Sequence, residues 1–195
     1  MVRPVGVLAL QGDFREHSQV LESLGTPFLL VRTEAELALC SGLIIPGGES
    51  TVIQKLAVNY GLFGPIRDRA QAGFPMFGTC AGLIMLADEI LDGIVGQQGF
   101  GGLNVSVRRN AFGNQLDSFE ADLLFEGVAG TVHAAFIRAP IVERVGPEVK
   151  VLSRLEDGRI VAVQQQNLLG ISFHPEVTGE NRIHQHFLDM ISRAH

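Results

Sequence analysis

The feature that most constrains the fold is an alternation in the N-terminal half between short, apolar, β-rich runs and longer segments with apolar residues at helical spacing. VGVLALQ is followed by FREHSQVLESLG, PFLLV by EAELALC, and GLIIPGG by STVIQKLAVNYG and FGPIRDRAQAG; PMFGTC then leads into AGLIMLADEI. Short strands separated by helical segments pair in parallel, because a parallel pair needs a crossover long enough to hold a helix. Gly61, Gly64 with Pro65, and Gly73 punctuate the helices. From about Gly93 the texture changes: a glycine-rich stretch, IVGQQGFGGLNVSVRRNAFG, precedes the short alternating runs HAAFIRAP, EVKVLSRL, RIVAVQQQ and LLGISF, which read as extended chain. GENRIHQHFLDMISRAH closes the chain as an amphipathic helix, with Ile183, Phe187, Met190 and Ile191 at helical spacing. Without repeats, a linker or low-complexity sequence, one α/β domain over residues 1–195 with a central sheet is expected.

Charge and cysteine content narrow the function. With 15 Lys and Arg against 21 Asp and Glu the net charge is -6, and the scattered basic residues leave no footprint for a nucleic acid. No apolar stretch reaches membrane-spanning length, and MVRPVGVLALQGDF lacks the apolar core and cleavage site of a signal peptide, so a soluble, cytoplasmic protein is expected with no membrane partner. The two cysteines, Cys40 and Cys80, are too few for a disulfide scaffold and lack zinc-type spacing, so neither a metal nor a cofactor is called for. Reactivity is the remaining reason to watch them.

Cys80 sits in GTCAG, between Gly78 and Gly82, at a strand-to-helix junction. This is the G-x-nucleophile-x-G elbow with cysteine in place of serine: a side chain at either glycine would crowd the turn that pushes the nucleophile out of the sheet. The helix that follows turns its unpaired N–H groups toward the sulfur, an environment that suits an anionic thiolate, and offers the Ala81 N–H as an oxyanion donor. The competing reading is a packed core thiol, which the paired glycines oppose. Cys40, in CSGLII, has no such elbow and reads as structural.

A cysteine nucleophile needs a base, and the base an orienting group. Of six histidines, His17, His133, His184, His186 and His195 read as ordinary surface or packing residues. His174 ends the apolar strand LLGISF and precedes Pro175 and Glu176, so a carboxylate stands beside it that can fix its tautomer. A plain surface turn is the alternative. A third element, IIPGGES, runs a buried strand into paired glycines and a helix beginning at Glu49, Ser50 and Thr51. Its backbone N–H groups, near Gly48, can supply the second half of an oxyanion hole, although a glycine pair there is also an ordinary helix entry.

PGGES, GTCAG and SFHPE, in the chain order Cys80, His174, Glu176, resemble the class I, or triad, glutamine amidotransferases. LALQGDFREH, RNAFGNQLDSFE (Arg109 to Glu120), FIRAP and NLLGISFHPEVTGENRIHQHF extend the resemblance over nearly the whole chain to the glutaminase subunits of pyridoxal 5′-phosphate synthases. Val177 and the Gln164 to Gln166 run depart from that pattern without touching a triad position. The fold then expected is a three-layer, flavodoxin-like open sheet, mostly parallel, with flanking helices and additional antiparallel strands in the C-terminal half. The resemblance implies that Cys80 attacks the carboxamide of L-glutamine, that Gly48 and Ala81 hold the oxyanion, and that His174, oriented by Glu176, moves the protons. It also implies that Gly48, Glu49, Ser50, Arg109, Ile137 and Arg138 line the glutamine site, an arginine fork suiting the α-carboxylate. Ammonia would pass to a synthase partner, a TIM barrel assembled as a dodecamer with one glutaminase docked per synthase subunit. The loop Gln11 to Arg15 is a candidate for facing that partner or ordering the oxyanion hole; the plainer reading is a helix N-terminus capped by Asp13, and both can hold at the same time. Another triad amidohydrolase, such as the glutaminase of imidazole glycerol phosphate synthase or a γ-glutamyl hydrolase, and a non-catalytic regulatory subunit are the other readings. RNAFG, FIRAP and QGDFREH oppose the former, and the intact triad opposes the latter.

Overall fold

A computed structural model describes residues 2–112 and 118–194. Of the sequence features above, Gly113, Asn114, Gln115, Leu116 and Asp117 of the RNAFG segment, and His195, lie outside the described residues.

The N-terminal half follows the expected alternation: β1 (Val5–Leu8), α1 (Phe14–Ser23), β2 (Phe28–Val31), α2 (Glu34–Leu39), β3 (Gly42–Ile45), α3 (Ser50–Asn59), α4 (Phe63–Gln71), β4 (Met76–Thr79) and α5 (Ala81–Leu86). The segment AGLIMLADEI, which the sequence presents as one run, is divided: after α5 the chain turns at Ala87 into β5 (Ala87–Leu91). Every residue of α5 is buried, so the run has no polar face by which to mark where the helix stops. The remainder is extended, as expected: β6 (Leu103–Arg108), β7 (Ser118–Leu124), β8 (Thr131–Ile137), β9 (Ile141–Val145), β10 (Lys150–Arg154), β11 (Ile160–Gln165) and β12 (Leu168–Ile171). A short α6 (Pro175–Thr178) and the closing α7 (Asn181–Ala194) follow.

The main sheet runs β2-β1-β3-β4-β12-β11-β9-β6-β5, with β10 paired to β11, and β7 and β8 form a separate hairpin. Its first five strands are all parallel, in the flavodoxin-like order; β11, β9 and β10 add the antiparallel pairs. Period-two alternation sorts side chains into two cores. Leu43, Ile45, Met76 and Leu168 point to one face with Leu37, Ile53 and Ile66 of the helices covering it. Ile44, Phe77 and Leu169 point to the other, against Leu21 of α1 and Ile183, Phe187 and Met190 of α7. This gives three layers, and it explains why the strands read as continuous apolar runs: neither face meets water.

Because β1, β3, β4 and β12 are parallel neighbours, their carboxyl ends share one edge. In the register that pairs Ile171 with Thr79, the residues after β4 and β12 leave side by side, and the Cys80 N–H donates to the Ile171 carbonyl at 2.8 Å. The order reverses between β1 and β3, so the loops after those two strands also lie together there, where open α/β sheets bind ligands.

Candidate active site

Cys80 is held at φ 51° and ψ -102°, in the positive-φ region that an L-residue occupies at a cost of about 1–3 kcal/mol and keeps only where its surroundings fix it. The two elbow glycines provide that fixing. A Cβ on Gly78 would stand 2.4 Å from the Gly82 carbonyl, and one on Gly82 would stand 2.0 Å from the Ile45 carbonyl oxygen. Helix α5 therefore lies against β3 and β4 with no room for a methyl group, and the thiol projects above the sheet edge. Its Sγ lies 3.9 Å from the Ile137 carbonyl oxygen at the end of the hairpin.

His174 is buried where β12 ends, its backbone N–H donating to the Ala135 carbonyl at 2.9 Å. Its Nδ1 meets Glu176 Oε1 at 2.6 Å, and the ring shares the cleft with Cys80. Burial works against the imidazolium, but Cys80 and the hydrogen-bonded Glu176, with the charges of both, lift the His174 pKa to about 10. Burial likewise raises the Glu176 carboxyl above its usual range, opposed by the His174 hydrogen bond. The proton of this pair rests on His174, because Glu176 and Cys80 both stabilise the protonated ring. An imidazole so held carries a proton at neutral pH, ready for a departing amine.

The loop after β1 lies across the glycine turn after β3. Asp13 N–H donates to the Gly47 carbonyl at 3.0 Å and Glu49 N–H to Gln11 Oε1 at 2.9 Å, while a Cβ at Gly12 would fall 1.8 Å from the Gly47 carbonyl oxygen. Of the two readings of the Gln11 to Arg15 loop, helix capping by Asp13 is not what the side chain does. It makes no cap hydrogen bond, and its carboxylate instead stands 3.5 Å from His174 Nδ1, with burial raising its pKa.

A cleft of about 400 Å³ opens over these loops. Gly48, Glu49, Ser50, Cys80, Ala81, Arg109, Ile137, Arg138 and His174 all line it, joined by Gln11, Asp13, Ile84 and Asn110; Glu176 lies behind His174. The two arginines differ. Arg109 is engaged by Glu49 Oε1 and Gln97 Oε1, each at 2.9 Å, which ties the glycine turn to β6. Exposed Arg138, at φ 46°, has no hydrogen-bond or ion-pair partner recorded among the described residues, which leaves its fork open to a carboxylate.

The sequence reading missed what lies beneath. His17 and His184 are both fully buried, with His17 Nδ1 and His184 Nε2 at 2.8 Å and His17 Nε2 at 3.1 Å from Thr79 Oγ1. No local signal marks them; 167 residues separate the two rings. Cys40 behaves as expected, buried against α2, where desolvation pushes its thiol up to about 11. Among the described residues, the group spaced to ligate a metal is Asp13, His174 and Glu176. An ion there would take His174 Nδ1 away from Glu176.

A crystal structure described as a glutamine amidotransferase matches with a TM-score of 0.90 and 49% identity, over 96% of this chain and 98% of that one. The fold is thus that of the glutamine amidotransferases. The chain belongs to the SNO glutamine amidotransferase family, whose model matches residues 7–193. It is 60% identical over 185 residues to the pyridoxal 5′-phosphate synthase subunit PdxT of Leifsonia xyli subsp. xyli, covering 94% of this chain and 93% of the relative. It is 54% identical to the subunit of that name from Nocardioides sp., covering 96% of each. The structure of PurLQS from Thermotoga maritima, at 18% identity and a TM-score of 0.68 over 96% of this chain and 99% of that one, shares the fold.

Proposed function

We propose that this chain is the glutaminase subunit of a pyridoxal 5′-phosphate synthase, hydrolysing L-glutamine to glutamate and ammonia. The single observation that carries the chemistry is the meeting of Cys80 and His174 in one cleft with Glu176 hydrogen-bonded to the His174 ring, and the identity to PdxT subunits supports the pathway. Cys80 Sγ, its proton already resting on His174, attacks the side-chain carboxamide carbon; a C–S bond forms and the carbonyl electrons move onto oxygen. The N–H groups of Gly48 and Ala81 receive that oxyanion. His174 returns the proton to the amide nitrogen, the C–N bond breaks and ammonia leaves. Water, deprotonated by His174, then attacks the γ-glutamyl thioester, the C–S bond breaks and glutamate departs. Glu176 keeps the imidazole oriented throughout. Gly48, Glu49, Ser50, Arg109, Ile137 and Arg138 hold the substrate, with Arg138 taking the α-carboxylate and Arg109 holding Glu49 in place.

Free ammonia is protonated and lost in water, so the product needs a receiver docked at the cleft. That receiver is the synthase subunit, a TIM barrel in a dodecameric core with one glutaminase per synthase subunit. No helix among the described residues is long and apolar enough to cross a membrane, and a nucleophilic thiol is best kept in the reducing cytoplasm. The test is glutamate release by the chain alone and with the synthase subunit. Stimulation by the partner is expected, and its absence overturns the partner assignment. Cys80→Ala should abolish release in both cases, while its complex, supplied with ammonium salts, still makes pyridoxal 5′-phosphate. Release surviving in that variant overturns the nucleophile.

A further inference from the structure

We infer that His17 and His184 form a neutral imidazole relay, with His184 fixing the tautomer of His17 so that His17 Nε2–H faces the Glu176 carboxylate and positions it for the triad. The inference rests on the triad reading above and assigns a role to two buried rings that it leaves unused. His17 lies on α1 and His184 on α7, so the relay bridges two helices packed on the same face of the sheet, directly under the ends of β4 and β12.

The tautomers follow from geometry. Full burial depresses both rings, His17 well below its usual value and His184 to about 3, so each carries a single N–H. Their 2.8 Å contact is therefore one hydrogen bond with two possible directions. If His17 Nδ1–H donated, His184 would carry its proton on Nδ1, a buried nitrogen with no partner, and His17 would turn a lone pair toward Glu176 Oε1, 3.7 Å from its Nε2. Both consequences are unfavourable, since buried N–H groups are almost always paired and a lone pair facing a carboxylate is repelled. In the other direction His184 Nε2–H donates to His17 Nδ1, and His17 Nε2–H donates to Thr79 Oγ1 with Glu176 Oε1 just beyond it. Only a lone pair is then left without a partner.

The carboxylate gains from this arrangement. Glu176 is buried and its Oε2 accepts no hydrogen bond. The charged and titratable groups that face it are His174 from the α6 side, His17 from α1 and the Asp13 carboxylate, which raises its proton affinity; Cys80 lies on the far side of His174. His17 Nε2–H, 3.7 Å from Glu176 Oε1, thus adds a dipole to the His174 ring and the Glu176 backbone N–H in opposing protonation of Glu176. His17 is a positioning residue: it acts through Glu176 and does not touch the substrate.

His17→Leu removes the dipole, and His17→Gln keeps an N–H donor at nearly the Nε2 position. Glutamate release would be followed against pH with the synthase subunit present. His17→Leu should lower kcat by about 10- to 100-fold, as loss of an orienting outer partner does, with the KM for glutamine little changed. The acid limb of kcat/KM should move to higher pH, because Glu176 then accepts a proton more readily. His17→Gln should restore both rate and limb. A purely structural role would lower rate and stability in His17→Leu but leave the limb in place, and that outcome, or a failure of glutamine to restore the limb, overturns the relay. Ring nitrogen shifts in ¹⁵N-histidine-labelled wild-type chain read the tautomer without any variant: Nε2 protonated and Nδ1 bare at His17 is expected, and the reverse overturns the assignment even if His17→Leu fails to fold. Cys80→Ala separates the two levels of failure. Release surviving there removes the triad itself, whereas an unmoved limb in His17→Leu beside an inactive Cys80→Ala removes only the relay.

Discussion

Gly82→Ala tests whether the closeness of α5 to β3 sets the position of the sulfur. A Cβ there would stand 2.0 Å from the Ile45 carbonyl oxygen. Carbon and oxygen rest at about 3.3 Å or more, so the helix must retreat from the strand by about 1.3 Å. Neither side yields cheaply, because the offending atom is backbone of a central strand whose neighbours on both sides are hydrogen-bonded to it. Overpacking of this kind costs about 1–3 kcal/mol. In a chain of this length, that is a fall in Tm of roughly 3–10 °C. The catalytic penalty should be larger than the stability penalty. The Cys80 sulfur and the Ala81 N–H ride on the first turn of α5, and a misplacement of about 1 Å at a reacting group costs on the order of 100-fold in rate. Gly64→Ala is the matched control: Gly64 lies in the first turn of α4 and has nothing within 4 Å of its would-be Cβ apart from its chain neighbours, and with its helix propensity offset by crowding from Pro65 it should shift stability by no more than about 1 kcal/mol and leave the rate unchanged. Thermal unfolding and steady-state glutamate release on the two variants make the comparison. A Gly82→Ala chain with wild-type Tm and a kcat within about twofold would refute the idea that this clearance positions the nucleophile.

Two further outcomes follow from burial and proton affinity. Iodoacetamide at neutral pH should add once to the folded chain, at Cys80, and not at all to Cys80→Ala, since Cys40 is inaccessible and its thiol is pushed up to about 11; peptide mass spectrometry showing a Cys40 adduct on folded protein contradicts this. Folding stability should fall as pH drops below about 6.5, the ordinary histidine value, because His17 and His184 stay neutral in the fold while the unfolded chain takes up protons, at about 1.4 kcal/mol per pH unit for each ring. His174 acts in the opposite sense: its raised pKa gives stability that is full below about 6.5 and is lost as pH rises through about 10. Urea midpoints between pH 8 and 5 check the acid side, where His184→Leu should flatten the slope; an unchanged slope contradicts it.

The first part of the parallel sheet was legible because helices α1 to α4 each have a polar face and the strands between them are apolar, so periodicity separates them. The triad was legible because its chemistry is packed into short words: the glycines of GTCAG are demanded within five residues, and Glu176 lies two residues from His174. Legibility stopped where a partner comes from far along the chain. The division of AGLIMLADEI at Ala87 depends on β6, whose pairing with β5 the local pattern does not encode. His17 looked like any histidine on a helix, since its role depends on His184 and on the register that sets Thr79 beside Ile171. Arg109 and Arg138 read alike as strand-end charges, and only the positions of Glu49 and Gln97 distinguish an engaged guanidinium from an open one.

The place of β12 in the sheet has a consequence for synthesis. It is the latest strand in sequence, yet it sits in the middle, between β4 and β11. A chain emerging from the ribosome can build β2-β1-β3-β4, but the free edge of β4 has no permanent neighbour until residues 168–171 appear. Until then a row of unsatisfied peptide groups on an apolar strand is open to other chains. The same delay keeps the nascent protein chemically silent: Cys80 is made early, but His174 and Glu176 arrive only with the strand that closes the gap. Glutamine is therefore safe from a half-made chain, because the insertion that completes the sheet is also the event that supplies the base.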